Sequence, residues 1–155
     1  MKGRTHAAFA LLLGLVAVLS FQVPFYTSIL LLIVVTFTSL LPDIDEPEST
    51  VGKRVKIISW PFLILLGHRG IFHSLLIPAF LALLFLYLHQ PYLMAAALIG
   101  YLSHLALDSL THAGVRWFYP LPFKLKGAVK SGGIMDIILF LLSLVGIAVV
   151  ILVNL

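Results

Sequence analysis

Five apolar stretches follow one another along the chain, about Thr5 to Phe21, Phe25 to Leu41, Ile71 to His89, Tyr92 to Thr111 and Gly133 to Leu155, with polar residues gathered between them. A helix needs roughly 17 to 25 predominantly apolar residues to cross a bilayer. Each stretch therefore predicts a spanning helix, the first two at the short end of the range. Between the second and third lies Val55 to Leu66, apolar but brief and interrupted by Pro61. A segment of that length is expected to lie along the interface or to dip in and return. The expected fold is an all-α polytopic membrane helix bundle of about five transmembrane helices plus a short interfacial or re-entrant segment, with residues 1–155 as a single integral membrane domain.

Composition agrees with this pattern. Hydrophobic residues make up 61% of the chain and charged ones 10%, and the mean hydropathy is +1.14, values of an integral membrane protein rather than a soluble globule. Met1 to Ser20 also fits a secretory signal, since Lys2 and Arg4 precede an apolar run and Val18-Leu19-Ser20 is a passable cleavage site. Cleavage would discard His6 and upset the charge pattern, so the spanning reading is preferred. With no cysteine, a disulfide framework and a thiolate metal site are both excluded, which leaves His, Asp and Glu as the strong ligands.

The net charge of +4 reports topology rather than nucleic-acid binding. Lys2 and Arg4 precede the first stretch; Lys53, Arg54, Lys56 and Arg69 separate the second from the third; Arg116, Lys124, Lys126 and Lys130 separate the fourth from the fifth. The turns near Gln22 to Pro24 and His89 to Pro91 carry no Lys or Arg. The positive-inside rule then places the N-terminus in the cytoplasm and the C-terminus outside a multi-pass membrane protein.

Every histidine except His89, and all six acidic residues, fall on that same cytoplasmic side. Ionisable groups near bilayer depth are costly, so a convergent set marks a functional site. Its clearest part is His104-x-x-x-Asp108-x-x-x-His112, whose spacing of four sets three side chains on one helical stripe. A capped, solvated helix end is the bland alternative for that stripe. In His68-Arg69-Gly70-Ile71-Phe72-His73-Ser74, Gly70 permits a tight turn that brings His68 and His73 together. Arg69 suits a phosphate oxygen, or serves merely as a positive-inside anchor. Pro42 ends the second stretch, and Asp43 and Asp45 follow on a turn segment where they can face the same way. Glu46 and Glu48 read as a solvated loop, and Asp136 as an acid at a helix N-terminus. His6 is a weak signal alone and gains weight from sharing the face.

Imidazole with carboxylate is the ligand chemistry of Zn, Mn or non-haem Fe. The expected metal ligands are His6, Asp43, His68, His73, His104 and Asp108, with Asp45 and His112 as outer ligands or a general base and Arg69 for phosphate. These are more ligands than one four-coordinate ion uses, so one or two divalent ions, Zn before Mn or Fe, are expected.

The series Thr5-His6, Leu41-Pro42-Asp43-Ile44-Asp45, His68 to Ser74 and Gly100-Tyr101-Leu102-Ser103-His104-Leu105-Ala106-Leu107-Asp108 also resembles, in order and through about Pro120, the motifs of the YdjM-like family. That family comprises LexA-regulated inner-membrane proteins described as metal-dependent hydrolases. The resemblance implies a multi-spanning protein with a His/Asp metal site and a phospholipase-like activity. Phe72 departs from the pattern, where Thr is expected before the second histidine.

Together these readings favour hydrolysis of a phosphoester in a membrane lipid or lipid-linked substrate at the cytoplasmic leaflet, with no nucleic-acid partner. An ion or metal transporter is the first alternative. It would need polar groups at mid-depth and outside, where this chain is apolar. A noncatalytic scaffold with structural metal is the second.

Overall fold

A computed structural model describes residues 1–45, 49 and 70–154. Among them are five α-helices: α1 (Gly3–Ser20), α2 (Phe25–Thr38), α3 (Leu76–Tyr87), α4 (Pro91–Ser109) and α5 (Ile134–Val153). Short 3₁₀ turns occupy Leu41–Asp45 and Ile71–His73. The fold is all-α. α1 and α5 are long and apolar enough to cross a membrane. The expected interfacial segment Val55 to Leu66 lies outside the described residues.

Local chemistry sets the helix boundaries. Pro24 stands at the N-cap of α2, and Pro91 opens α4, where its missing N–H costs nothing. Two turns at the far end share one geometry. Gln22 and His89 take positive φ values of 49° and 54°, the left-handed position that closes a helix. Val23 N–H then donates to the Val18 carbonyl and Gln90 N–H to that of Phe85, each reaching back five residues to cap the last turn. His89 is thus a helix terminator, in keeping with its exclusion from the site.

α1, α2 and α4 pack on one another, α3 lies against α4, and α5 against α1. Ala10, Val18, Leu31, Val35 and Ala96 form the core among the first three. Gly100 lets α4 approach α2 closely, because a Cβ there would collide with the Val35 carbonyl and the Thr38 hydroxyl. The third apolar stretch yields less helix than its composition predicts. Ile71–His73 is a 3₁₀ turn and α3 itself has 12 residues, about 18 Å of rise.

Candidate metal centre

The helices alternate in direction, so the start of α1, the end of α2, the approach to α3, the end of α4 and the start of α5 lie together. His6 comes from the first turns of α1, Asp43 from the 3₁₀ turn after α2, His73 from the 3₁₀ turn before α3, and His104 and Asp108 from one face of α4. All five are buried, none more than 4% exposed.

Their contacts are close and shared. His6 Nε2 lies 3.2 Å from Asp108 Oδ1, and His73 Nε2 lies 3.8 Å from Asp108 Oδ2. His104 Nε2 is 3.8 Å from both Asp43 Oδ1 and Asp108 Oδ2. The Met1 amino group also donates to Asp108 Oδ1. The rings of His6 and His104 stack with centroids 3.8 Å apart and planes 15° from parallel, whereas His73 meets His104 edge-on at 5.3 Å and 67°. By proximity two triads stand out, His6 with His104 and Asp108, and Asp43 with His73 and His104, their candidate ligand atoms lying within 4.8 Å of one another.

The donor set fits a divalent metal. Ligands about 2.1 Å from one ion lie roughly 3 to 4 Å from each other, the range of separations seen here. His104 Nδ1 is 2.7 Å from the Ser39 carbonyl. A carbonyl oxygen can only accept, so Nδ1 carries the proton and Nε2 presents its lone pair to the cluster. Among the described residues, His104 Nε2 and His6 Nδ1 are buried with no hydrogen-bond partner, while His6 Nε2 has the Asp108 carboxylate beside it at 3.2 Å. Each unpartnered atom costs about 1–3 kcal/mol, an expense that a bound cation removes at His104 Nε2.

Neighbouring bonds hold the ligands in place. Tyr101, fully buried one turn before His104, donates its hydroxyl to the Phe72 carbonyl at 2.7 Å and so fixes the turn that carries His73. Asp136 on α5 accepts from Thr5 Oγ1 at 2.6 Å, Gly132 N at 2.6 Å and Lys2 N at 3.2 Å. That buried carboxylate closes the turn leading into α5 and ties it to the turn of α1 bearing His6.

The other expected site residues are placed differently. His68 and Arg69 lie outside the described residues. Asp45 ends the 3₁₀ turn that holds Asp43. His112 is exposed and belongs to neither triad. α4 stops at Ser109, Thr111 Oγ1 turns back to the Asp108 carbonyl, and His112 N–H pairs with the Val129 carbonyl, so the stripe of four ends with Asp108. Sequence reasoning passed over Tyr101, although its spacing of three and seven from His104 and Asp108 sets it on their face. The Ser39 carbonyl left no signal, being a backbone group.

An all-α chain with membrane-length apolar helices and a buried imidazole–carboxylate cluster defines a class, the helical membrane proteins with a candidate metal centre. The chain belongs to the YdjM inner membrane protein family, whose family model matches residues 1–154. It is 47% identical over 98 residues to the inner membrane protein YdjM of Escherichia coli K12, covering 55% of this chain and 50% of that one. The figures for YdjM of Shigella flexneri are the same. Against the uncharacterized protein YvsG of Bacillus subtilis, identity is 32% over 92 residues, covering 57% and 56%. The chain spans about half the length of the curated relatives it matches. No solved structure matches it significantly.

Proposed function

We propose that this protein is a membrane-embedded, metal-dependent hydrolase that cleaves a phosphoester of a lipid or lipid-linked substrate at the cytoplasmic leaflet. The observation that carries the reading is the buried pair of Nε2 atoms on His6 and His104, which face the Asp108 carboxylate at 3.2 and 3.8 Å. His6, Asp43, His73, His104 and Asp108 would hold the metal, with His68 as a further ligand. Zn suits these donors, and Mn or Fe is also compatible. The chemistry such an ion supplies is polarisation of a phosphoryl oxygen and acidification of water toward a pKa of ~7.

The chain's own residues take the remaining roles. Asp45 and His112, on the same side as the cluster, are the candidates to accept a proton from water. Arg69 would hold the phosphate through two parallel N–H bonds. The Trp117 indole N–H donates to Ser109 Oγ at 2.7 Å, pinning the loop after α4 beside the site, with Arg116 exposed on it. In the topology that goes with this reading, all five apolar stretches cross, the N-terminus is cytoplasmic and the C-terminus lies outside.

A transporter draws less support. The cavity between α1, α2 and α4 away from the cluster is lined by apolar groups including Gly14, Val18, Leu31, Val35, Ala96 and Ile99, with no ionisable relay. One observation favours a second reading, a scaffold with structural metal. The cluster is enclosed, and closed coordination is the mark of a structural site.

Metal analysis of the detergent-purified protein, with His104→Ala and His68→Ala beside it, tests the proposal. Wild type is expected to retain metal and to turn over phospholipid or phosphoester substrates, and both variants to lose at least tenfold in metal affinity. Equal metal content in all three would remove the assigned ligands. Metal binding without turnover would leave the structural reading.

A further inference from the structure

Resting on the metal-binding reading above, we infer that the cluster is a two-ion centre bridged by Asp108. Oδ1 shares one ion with His6, and Oδ2 shares the other with His73, His104 and Asp43. Proximity alone would group His6 and His104 on a single ion, since their candidate ligand atoms are near neighbours. The ring planes do not allow it. An imidazole lone pair lies in the plane of its ring, so a ligated ion sits in or close to that plane. The His6 and His104 rings are stacked 3.8 Å apart and only 15° from parallel. An ion midway between them would lie up to about 1.9 Å out of each plane, set against a metal–nitrogen bond of about 2.1 Å. It would sit over the ring nitrogens rather than ahead of them.

The two histidines therefore address separate points, spaced by roughly the ring separation of 3.8 Å. Paired catalytic metals stand about 3.5–4 Å apart. His73 behaves differently. Its plane crosses that of His104 at 67°, so both lone pairs can meet on one ion. His104 supplies a single nitrogen, because Nδ1 is committed to the Ser39 carbonyl.

The carboxylate divides in the same way. Asp108 Oδ1 faces His6 Nε2 at 3.2 Å, while Oδ2 is 3.8 Å from the Nε2 atoms of both His73 and His104. Asp43 Oδ1, also 3.8 Å from His104 Nε2, completes four protein ligands on the second ion. On the first, the described residues supply His6 and Asp108, whose Oδ1 also accepts from the Met1 amino group, a contact that a cation there would have to displace. The two positions thus differ in the ligands that the described residues bring to them.

The test is metal stoichiometry together with electron paramagnetic resonance on the full chain in detergent, loaded with Mn(II) and freed of excess. Wild type is expected to bind about two ions per chain with an exchange-coupled spectrum. His6→Ala should bind about one and lose the coupling while keeping the ion shared by His73, His104 and Asp43, and His6→Gln, closer in volume, should do the same. Asp108→Ala should lose the coupling and weaken both ions. One uncoupled ion per chain in wild type, released by the His6 variants, would overturn the two-ion centre and keep the metal reading. No bound metal in wild type would overturn both.

Discussion

Ser39 acts on the cluster through its backbone alone. Its carbonyl accepts from His104 Nδ1 at 2.7 Å, which decides the nitrogen that faces Asp43 and Asp108. Tyr101 does comparable work for His73, and its contribution can be removed with one atom. In Tyr101→Phe the ring stays and the Phe72 carbonyl loses the phenol as a donor. The expected cost is about 1–3 kcal/mol of stability, with metal affinity reduced as the His73 turn loosens, since orienting groups typically carry tenfold or more in affinity. Competition against a metal-binding dye measures the affinity, and a melting curve separates it from the stability loss. Unchanged affinity would mean that the turn is held without Tyr101. At this scale the sequence was informative about which side chains converge, because imidazole and carboxylate have few other reasons to meet at bilayer depth. It was silent on orientation, which depends on a backbone atom 65 positions away from His104.

The elements show where periodicity carries and where it fails. The starts of α2, α4 and α5 follow from Pro24, Pro91 and Gly133, all visible in the sequence. The stripe His104, Asp108, His112 was extrapolated one turn too far, because Thr111 bonds back to Asp108 and ends the helix. Ile71 to Leu75 has the composition of a helix start, yet there the backbone follows Tyr101 and, through Leu75 N–H, the Trp117 carbonyl. The close crossing of α2 and α4 rests on Gly100. Gly100→Ala would drive a methyl into the Val35 carbonyl and the Thr38 hydroxyl, and the carbonyl, as part of the α2 backbone, cannot give way by a rotamer change. Overpacking of this kind costs about 1–3 kcal/mol, and a chain of this size loses roughly 2–4 °C in melting temperature for each kcal/mol. Metal occupancy is expected to fall as well, since α2 leads directly into the turn bearing Asp43. A thermal-shift series in detergent with parallel metal analysis reads both, and a variant as stable as wild type would show that the helices separate freely.

Across the whole molecule, one orientation has to satisfy two independent sets of residues. In the proposed topology Lys and Arg select the cytoplasmic side through the positive-inside rule, and the candidate ligands collect at the same end of the bundle because alternating helices bring those ends together. If the five stretches all cross, Ser131 before α5 lies inside, and Gln90 and Asn154 lie outside. All three are exposed, and the natural chain has no cysteine to interfere with labelling. Ser131→Cys should react with a membrane-impermeant maleimide only in inverted vesicles, and Gln90→Cys and Asn154→Cys only in right-side-out ones. The shortness of α3, about 18 Å of helix against a hydrocarbon core of about 30 Å, makes Gln90 the sharpest probe. Labelling of Gln90→Cys from the cytoplasmic side would mean that α3 and α4 enter and return, placing the cluster on a re-entrant hairpin rather than at the end of a spanning bundle. Labelling from outside requires the 3₁₀ turn and its flanks to make up the missing span, which would hold His73 at the depth where lipid phosphates begin.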